Sequence, residues 1–227
     1  MDRRNFIKQS VVAGSAAAVG TKAQAAGSTG KEKIRIVGIS CSPRKGKTTS
    51  TSVQTALDAA KKVNERIETE LIDLGGMKIS GWSGGSTPNA SKQTNDDFLF
   101  EVEPSLKAPD LGGIIIGSPV YFRSMSSLCK SFLERLASLR KPELLLADKP
   151  VGIVAVGAYR NGGQELTIDQ IQTAMLCHEV MVVGGKPRAH QGATLWNAYN
   201  DDITKDEFGI KTAKLLGTRV AEAALKI

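Results

Sequence analysis

The sequence predicts an α/β fold of three layers, in which a parallel β-sheet lies between two layers of helices. Short segments rich in β-branched residues alternate with segments whose apolar residues recur at helical spacing. Two strand segments, 113–117 and 150–157, are continuous apolar runs, as is typical of strands covered by helices on both faces. Such alternation favours parallel strands joined by helical crossovers.

Five strands and five helices follow one another along the chain. The predicted strands are 33–39, 67–74, 113–117, 150–157 and 180–183. The predicted helices are 49–64, 96–106, 127–139, 168–177 and 209–225. This succession fits a flavodoxin-like sandwich with strand order 2-1-3-4-5, in which ligands bind outside the carboxyl ends of strands 1 and 3. We therefore expect the loops after Ile39 and Gly117 to lie side by side.

The first 25 residues have the three parts of an export signal. Arg3 and Arg4 precede a mildly apolar stretch over 11–20, and Ala23-Gln24-Ala25 forms a small-x-small cleavage site. The arginine pair resembles a twin-arginine signal. The alternative is a retained amphipathic helix at the N-terminus.

We expect this signal to direct export to the periplasm by the twin-arginine machinery, with cleavage after Ala25. The apolar stretch is too short to span a bilayer stably. The resulting organisation is a signal over 1–25, a linker over 26–32 and one domain over 33–227.

Charge and cysteine usage exclude several classes of function. The formal net charge is +7, and four basic residues against one acidic residue in the first 25 account for three of these charges. The remaining basic residues are scattered, so nucleic-acid binding is not expected. The three cysteines form no CxxC pair, and His178 and His190 lack partners at ligand spacing, so we predict no metal site.

The loop after the first strand has the composition of a phosphate-binding loop. It offers hydroxyls and positive charge just before a helix N-terminus, whose free N–H groups favour anions. The hydroxyls come from Ser42, Thr48 and Thr49, and the charges from Arg44, Lys45 and Lys47. The alternative is an ordinary helix capped by Ser or Thr with solvated lysines.

Two other phosphate motifs match this loop only in part. Gly46-Lys47-Thr48 fits the end of a Walker A loop, but Cys41 stands where that motif has its first glycine. A cysteine-dependent phosphatase needs an arginine six positions after Cys41, and that position is Lys47. Cys41 is then a small loop residue, or a reactive thiol whose pKa is lowered by the nearby helix N-terminus.

Three segments in order resemble the NADPH-dependent FMN reductase family, and within it the branch that contains iron–sulfur flavoproteins. The phosphate loop of the family usually reads SPRxxGNT, and here Lys47 replaces the asparagine. Segment 117–126 is similar to the loop beside the flavin ring, and segment 157–165 resembles the third flavin loop. The three matching segments read Ser42-Pro43-Arg44-Lys45-Gly46-Lys47-Thr48, GSPVYFRSMS and GAYRNGGQE.

The resemblance implies FMN as the cofactor. Its phosphate would contact Ser42, Arg44, Lys47, Thr48 and Thr49. Its ring would lie along Pro119, Val120, Tyr121, Phe122 and Ser124, and beside Arg160, Gly162 and Gly163. Pro119, Val120 and Tyr121 would offer it flat apolar surface and backbone groups, since backbone N–H groups can bond the polar edge of the ring. Arg160 would stabilise negative charge on the reduced flavin. The alternatives are that Tyr121 and Phe122 are core aromatics and that Arg160 is a solvated loop residue.

The resemblance also implies the reaction and the assembly. Electrons would pass from NAD(P)H through FMN to a quinone, free flavin or small acceptor. In an exported protein, the electron donor would be a redox protein or the quinone pool instead of NAD(P)H. The alternative is a flavodoxin-type electron carrier, or flavin-binding module, without nicotinamide turnover. Relatives pair their subunits over the flavin, so we expect a homodimer or homotetramer.

Related proteins with an iron–sulfur cluster carry closely spaced cysteines after strand 2. Segment 79–85 has none, so no cluster is predicted. Trp82 in this segment either covers a partner's flavin or fills a loop.

Overall fold

A parallel sheet forms the centre of the fold. The computed structural model describes residues 32–82 and 96–227, and its strand order is β2-β1-β3-β4-β5, with β6 also paired to β4. The strands are β1 Ile34–Ser40, β2 Ile67–Asp73, β3 Leu111–Pro119, β4 Pro150–Gly157, β5 Met181–Val182 and β6 Ala193–Trp196. The helices are α1 Thr48–Lys61, α2 Glu103–Lys107, α3 Ser127–Arg135, α4 Gln164–Met175 and α5 Glu207–Ala224.

The predicted strand order is confirmed, and the structure adds a sixth strand. β5 pairs with the beginning of β4, where Pro150 is opposite Met181, and β6 pairs with its end, where Val154 is opposite Ala193. Both pairings are parallel. The fifth position of the sheet is therefore divided between two short strands, of which the sequence indicated only the first.

Irregular turns account for several differences in helix boundaries, whereas α4 begins at Gln164, before the predicted start at 168. The predicted helix 96–106 consists of a π-helical turn, Phe98–Val102, that continues into α2. Helices α3 and α4 each end in a 3₁₀ turn, at Leu136–Arg140 and Leu176–His178. Such turns are common at helix ends, where backbone groups lack α-helical partners.

The two faces of the sheet bury separate apolar clusters. One face packs against α1 and α5 through residues such as Ile36, Val53 and Val220, and the other packs against α2, α3 and α4. Gly217 of α5 lies directly on the backbone of Ala56 in α1, since an added Cβ would lie 1.8 Å from the Ala56 carbonyl oxygen. This close packing fixes α1, whose N-terminus faces the carboxyl edge of the sheet.

The predicted signal and nearly all of the linker, over 1–31, lie outside the described residues, as does most of the loop over 83–95. Within the two described ranges, no helix has the length and apolar character that a bilayer crossing requires.

Candidate functional site

The loops that follow β1 and β3 are joined at the carboxyl edge of the sheet. The backbone N–H of Cys41 donates to the carbonyl of Gly117 at 2.8 Å, and the Ser126 hydroxyl donates to the carbonyl of Cys41 at 2.6 Å. Ser126 also caps α3 by accepting from the N–H of Cys129 at 3.0 Å. The predicted adjacency of these two loops is thus confirmed.

Asp73, at the end of β2, holds the loop between β1 and α1 in place. Its carboxylate accepts from the N–H of Gly46 at 2.7 Å and from the N–H of Gly75 at 3.1 Å. Gly46 has a φ of +68°, which favours glycine at this turn. Inside the loop, the buried hydroxyl of Ser42 accepts from the N–H of Arg44 at 3.2 Å. The loop is therefore pre-shaped by its own contacts.

The N-terminus of α1 has the donor set that an anion needs. Its cap residue is Lys47, which makes no side-chain capping bond, and the first turn contains no acidic residue. By contrast, Ser126 caps α3 and Asp206 caps α5 through their side-chain oxygens. Uncapped N–H groups, the helix dipole and the buried hydroxyl-bearing Thr48 and Thr49 fit a phosphate at this end of the helix.

A fourth loop, 197–206 after β6, also reaches this edge and was not predicted. Asn197 donates from its amide to the Thr48 hydroxyl at 3.3 Å. The carboxylate of Asp201 pairs with Arg44 (Nη1 to Oδ1, 2.5 Å) and lies near Lys47 (Nζ to Oδ2, 3.6 Å). An Asn/Asp-rich stretch after a Thr-Leu-Trp run was the only signal for this loop in the sequence.

The loop after β3 forms a tight turn with an exposed tip. The N–H of Tyr121 donates to the carbonyl of Ser124 at 2.8 Å, and the reverse bond measures 3.0 Å. Phe122 and Arg123 at the tip both have positive φ, and the Phe122 side chain is fully exposed. The alternative that Tyr121 and Phe122 are core aromatics is therefore wrong, because Tyr121 is also 40% exposed.

The N–H groups at the end of β3 are mostly bonded within the protein, so fewer of them than expected can contact a ring. Pro119 has no N–H, and the N–H of Val120 donates to the carbonyl of Val156 at 2.9 Å. The N–H of Tyr121 is used in the turn itself. Among the described residues, the N–H groups of Phe122 and Arg123 are the ones that this loop tip leaves open.

The loops after β3 and β4 contact each other. An added Cβ on Gly163, whose φ is +104°, would lie 3.2 Å from the Cα of Arg123, so glycine permits this approach. The N–H of Gly162 donates to the side-chain oxygen of Gln164 at 2.8 Å. The Ser124 hydroxyl donates to the side-chain oxygen of Gln170 at 2.7 Å. Gly163 therefore lets the loops after β3 and β4 approach each other, Gly162 bonds within its own segment, and Ser124 anchors its loop to α4.

Arg160 is held by the protein itself. Its guanidinium pairs with the fully buried carboxylate of Asp206. It also lies 5.5 Å from the ring centroid of Trp196 and 5.8 Å from that of Phe208. Arg160 is at the same time 44% exposed, so it is a partly solvated loop residue, as one alternative had it, and its charge faces the Asp206 carboxylate.

Aromatic residues line a cavity between the loops after β4 and β6. The cavity has a volume of about 250 Å³. The rings of Tyr159 and Tyr199 meet edge to face there, with centroids 5.2 Å apart, and both side chains are exposed. The cavity is lined by Ala158, Tyr159, Arg160, Trp196, Ala198 and Tyr199. This edge of the sheet thus combines a cationic notch, formed by Arg44, Lys47 and the N-terminus of α1, with exposed flat apolar surface.

Cys41 directly follows β1, and its thiol is fully buried at the start of the loop that carries Arg44 and Lys47. Burial raises the pKa of Cys41 well above its usual value, and hydrogen bonding to Cys129 and the nearby charge of Asp73 act in the same direction. The alternative of a reactive thiol with a lowered pKa is therefore wrong. No group of three or more possible metal ligands occurs within residues 32–82 and 96–227.

The sheet order and the loops at its carboxyl edge define a flavodoxin-like protein. The solved structure of a WrbA-like flavodoxin from Agrobacterium tumefaciens superposes with a TM-score of 0.58 at 17% sequence identity. The superposition covers 86% of this chain and 99% of that one.

The chain belongs to the NADPH-dependent FMN reductase family, whose model matches residues 34–194. It is therefore a flavin-dependent oxidoreductase. It is 40% identical to an iron–sulfur flavoprotein of Methanocaldococcus jannaschii over 191 residues, 83% of this chain and 96% of that protein. It is also 28% identical to an NAD(P)H dehydrogenase (quinone) of Archaeoglobus fulgidus over 171 residues, 74% of this chain and 82% of that protein.

Proposed function

We propose that this chain binds FMN at the carboxyl edge of the sheet and passes electrons from NAD(P)H or another donor to a quinone, flavin or small acceptor. The observation that carries this proposal is the junction of the loop before α1 with the loop after β3. There, Cys41 is bonded to both Gly117 and Ser126, beside a helix N-terminus without a side-chain cap. FMN, when bound, supplies the hydride and electron-transfer chemistry.

At the phosphate end, the protein supplies charge and directed donors. The N–H groups of the first turn of α1 point along the helix axis toward the notch, as at any helix N-terminus. Arg44 and Lys47 add positive charge, and the hydroxyls of Ser42, Thr48 and Thr49 lie in the same segment. These groups bind and orient a phosphate dianion without any chemical step.

At the ring end, the protein supplies flat surface and backbone donors. Pro119, Val120 and Tyr121 line the end of β3, and the open N–H groups of Phe122 and Arg123 stand at the loop tip. The Tyr159–Tyr199 pair adds aromatic surface from the loops after β4 and β6. Apolar surface around a ring excludes water and lowers the local dielectric, which strengthens the polar contacts that remain.

The exposed aromatics also support a homodimer or homotetramer. Phe122, Tyr159 and Tyr199 are 104%, 63% and 69% exposed and lie on loops at the same sheet edge. Large exposed apolar side chains gathered on one surface are typical of an interface. A second copy of the chain placed here would cover the flavin ring.

We propose further that the protein holds no iron–sulfur cluster, although relatives are named for one. The chain has three cysteines, whereas such clusters usually take four cysteine ligands. Cys41 and Cys129 are fully buried side by side, and Cys177 is exposed after α4. Iron and acid-labile sulfide analysis of the purified protein tests this directly, and stoichiometric iron would overturn it.

The N-terminal sequence supports export through the twin-arginine route and a periplasmic location. This route carries folded proteins, so FMN would be inserted before export, and the electron donor would be a redox protein or reduced quinone. The test is the N-terminus of the mature protein from the periplasm, compared with an Arg3→Lys/Arg4→Lys variant. Cleavage after Ala25 in the first case and cytoplasmic retention in the second are expected.

The visible spectrum of the folded protein tests the central proposal. We expect the two absorption bands of oxidised flavin, and release of FMN rather than FAD on denaturation. Reduction of the bound flavin is then followed with NADPH, NADH and a reduced quinone under anaerobic conditions. A colourless protein that does not take up FMN would overturn the proposal, whereas flavin that none of these donors reduces rapidly would indicate an electron carrier.

A further inference from the structure

The loop after β6 places a carboxylate against the two cations of the proposed phosphate site. Asp201 lies 2.5 Å from Nη1 of Arg44 and 3.6 Å from Nζ of Lys47. These residues are separated by more than 150 positions in sequence, so the contact depends on the fold. All three side chains remain partly exposed, at 48%, 48% and 35% for Arg44, Lys47 and Asp201. Ion pairs exposed to this extent are weak and can exchange partners.

A phosphate at the N-terminus of α1 would require the same two cations. The helix supplies no acidic residue of its own in its first turn and no side-chain cap. Asp73 binds the backbone of this loop through the N–H of Gly46, whereas Asp201 is the carboxylate that lies against the side chains of Arg44 and Lys47. A phosphate monoester carries close to two negative charges at neutral pH, so its presence beside an ionised carboxylate is repulsive.

We propose that Asp201 is an internal competitor for the phosphate of FMN. It occupies the cations Arg44 and Lys47 while the site is free, and it is displaced when the phosphate binds. This inference rests on the proposed function. Asp201 then sets how tightly FMN is retained, because each binding event must first separate the carboxylate from its two partners.

The same displacement connects the phosphate site with the aromatic surface. Asp201 and Tyr199 belong to one short loop, and Tyr199 packs edge to face on Tyr159 of the loop after β4. Ala198, Tyr199 and Asp201 all have positive φ, between 48° and 62°, which is unfavourable for residues other than glycine. Release of Asp201 therefore removes one of the contacts that hold this loop, which Asn197 also ties to Thr48, on the flank where the ring is expected.

Asp202 provides a matched control in the adjacent position. Its carboxylate accepts from the N–H of Thr204 at 2.8 Å and from the Thr204 hydroxyl at 2.7 Å, so its bonds stay within its own turn. Asp202 and Asp201 carry the same charge at nearly the same place. Asp202→Asn therefore reproduces the change in net charge without freeing Arg44 or Lys47.

The experiment compares FMN and riboflavin binding to the apoprotein of wild type, Asp201→Asn and Asp202→Asn by flavin fluorescence. We expect Asp201→Asn to bind FMN about three- to tenfold more tightly and riboflavin unchanged, which corresponds to the loss of one exposed competing ion pair. Asp202→Asn should match wild type for both ligands. The gain in FMN affinity should disappear when Asp201→Asn is combined with Arg44→Gln and Lys47→Gln.

Three results would overturn the inference. Weaker FMN binding by Asp201→Asn would mean that the carboxylate positions Arg44 for the phosphate. Unchanged affinity, or the same gain in Asp202→Asn, would mean that Asp201 does not compete. The proposed function fails separately, if neither wild type nor Asp201→Asn takes up FMN.

Discussion

Two arginine–aspartate pairs lie at the same edge of the sheet and have opposite properties. Asp206 is fully buried and serves three partners: Arg160, the N–H of Gly209 at 2.8 Å and the N–H of Trp196 at 2.9 Å. Asp201 is partly exposed, and among residues 32–82 and 96–227 its ionic partners are the cations Arg44 and Lys47. The comparison shows that burial and additional hydrogen bonds make one pair a permanent joint, while the other remains exchangeable.

Removing the buried carboxylate should produce the largest effect. Asp206→Ala deletes the cap of α5 and leaves the Trp196 N–H and Arg160 without their acceptor, so the free energy of unfolding should fall by about 2–3 kcal/mol. Urea denaturation followed by tryptophan fluorescence measures this. Asp202→Ala, in the same loop, should lose under about 1 kcal/mol. Equal losses in the two variants would mean that Asp206 stabilises the fold no more than an exposed aspartate of the same loop does.

Removing the exposed cations should affect binding rather than stability. Arg44→Gln combined with Lys47→Gln should weaken FMN binding roughly ten- to a hundredfold, since bonds to charged groups contribute about 1.5–3 kcal/mol. Riboflavin binding should not change, because riboflavin has no phosphate. Fluorescence titration measures both ligands, and Lys61→Gln at the other end of α1 is the control. An equal loss for riboflavin would place the phosphate elsewhere.

Arg160 tests whether the buried pair also serves the flavin. Its contacts with Asp206, Trp196 and Phe208 predict that Arg160→Gln lowers the free energy of unfolding by roughly 1 kcal/mol. Because the guanidinium faces Asp206, the reduction potential of bound flavin should stay at the wild-type value. A clearly lower potential in the variant would instead support the role in stabilising reduced flavin that the sequence suggested.

The reactivity of the cysteines tests whether the buried base of the loop that carries Arg44 and Lys47 opens. Burial raises the pKa of Cys41, so its thiol stays protonated and should not react with a maleimide in the folded protein. Cys177 is exposed and should react. Mass spectrometry should find one label on wild type and none on Cys177→Ser. Labelling of Cys41 would show that the base of the loop opens.

Much of this fold is readable from the sequence because local patterns determine it. Apolar runs such as 150–157 matched β4 residue for residue, and the alternation of strands and helices implied the strand order. β6 was not predicted, because it consists of only Ala193–Trp196 and a glycine-containing segment separates it from β5. A four-residue strand carries too little periodicity to be distinguished from a loop.

The site was predictable in its location but not in its charge pairing. Loop composition and strand order placed Arg44, Lys47 and the end of β3 together. The contact between Asp201 and Arg44 joins residues 157 positions apart in the sequence and depends on the path of an irregular loop. The pairing of Arg160 with Asp206 depends likewise on β6, which brings Trp196 and Asp206 beside the loop after β4. Long-range contacts of this kind leave no local pattern.

The division of the outermost strand also bears on aggregation. A continuous edge strand presents a row of unpaired backbone groups to which a strand of another molecule can add. Here that row is interrupted, because β5 contributes two residues and β6 four. We therefore expect fibril-like stacking to be disfavoured along this border, so that copies of the protein meet through loop side chains rather than through shared backbone ladders.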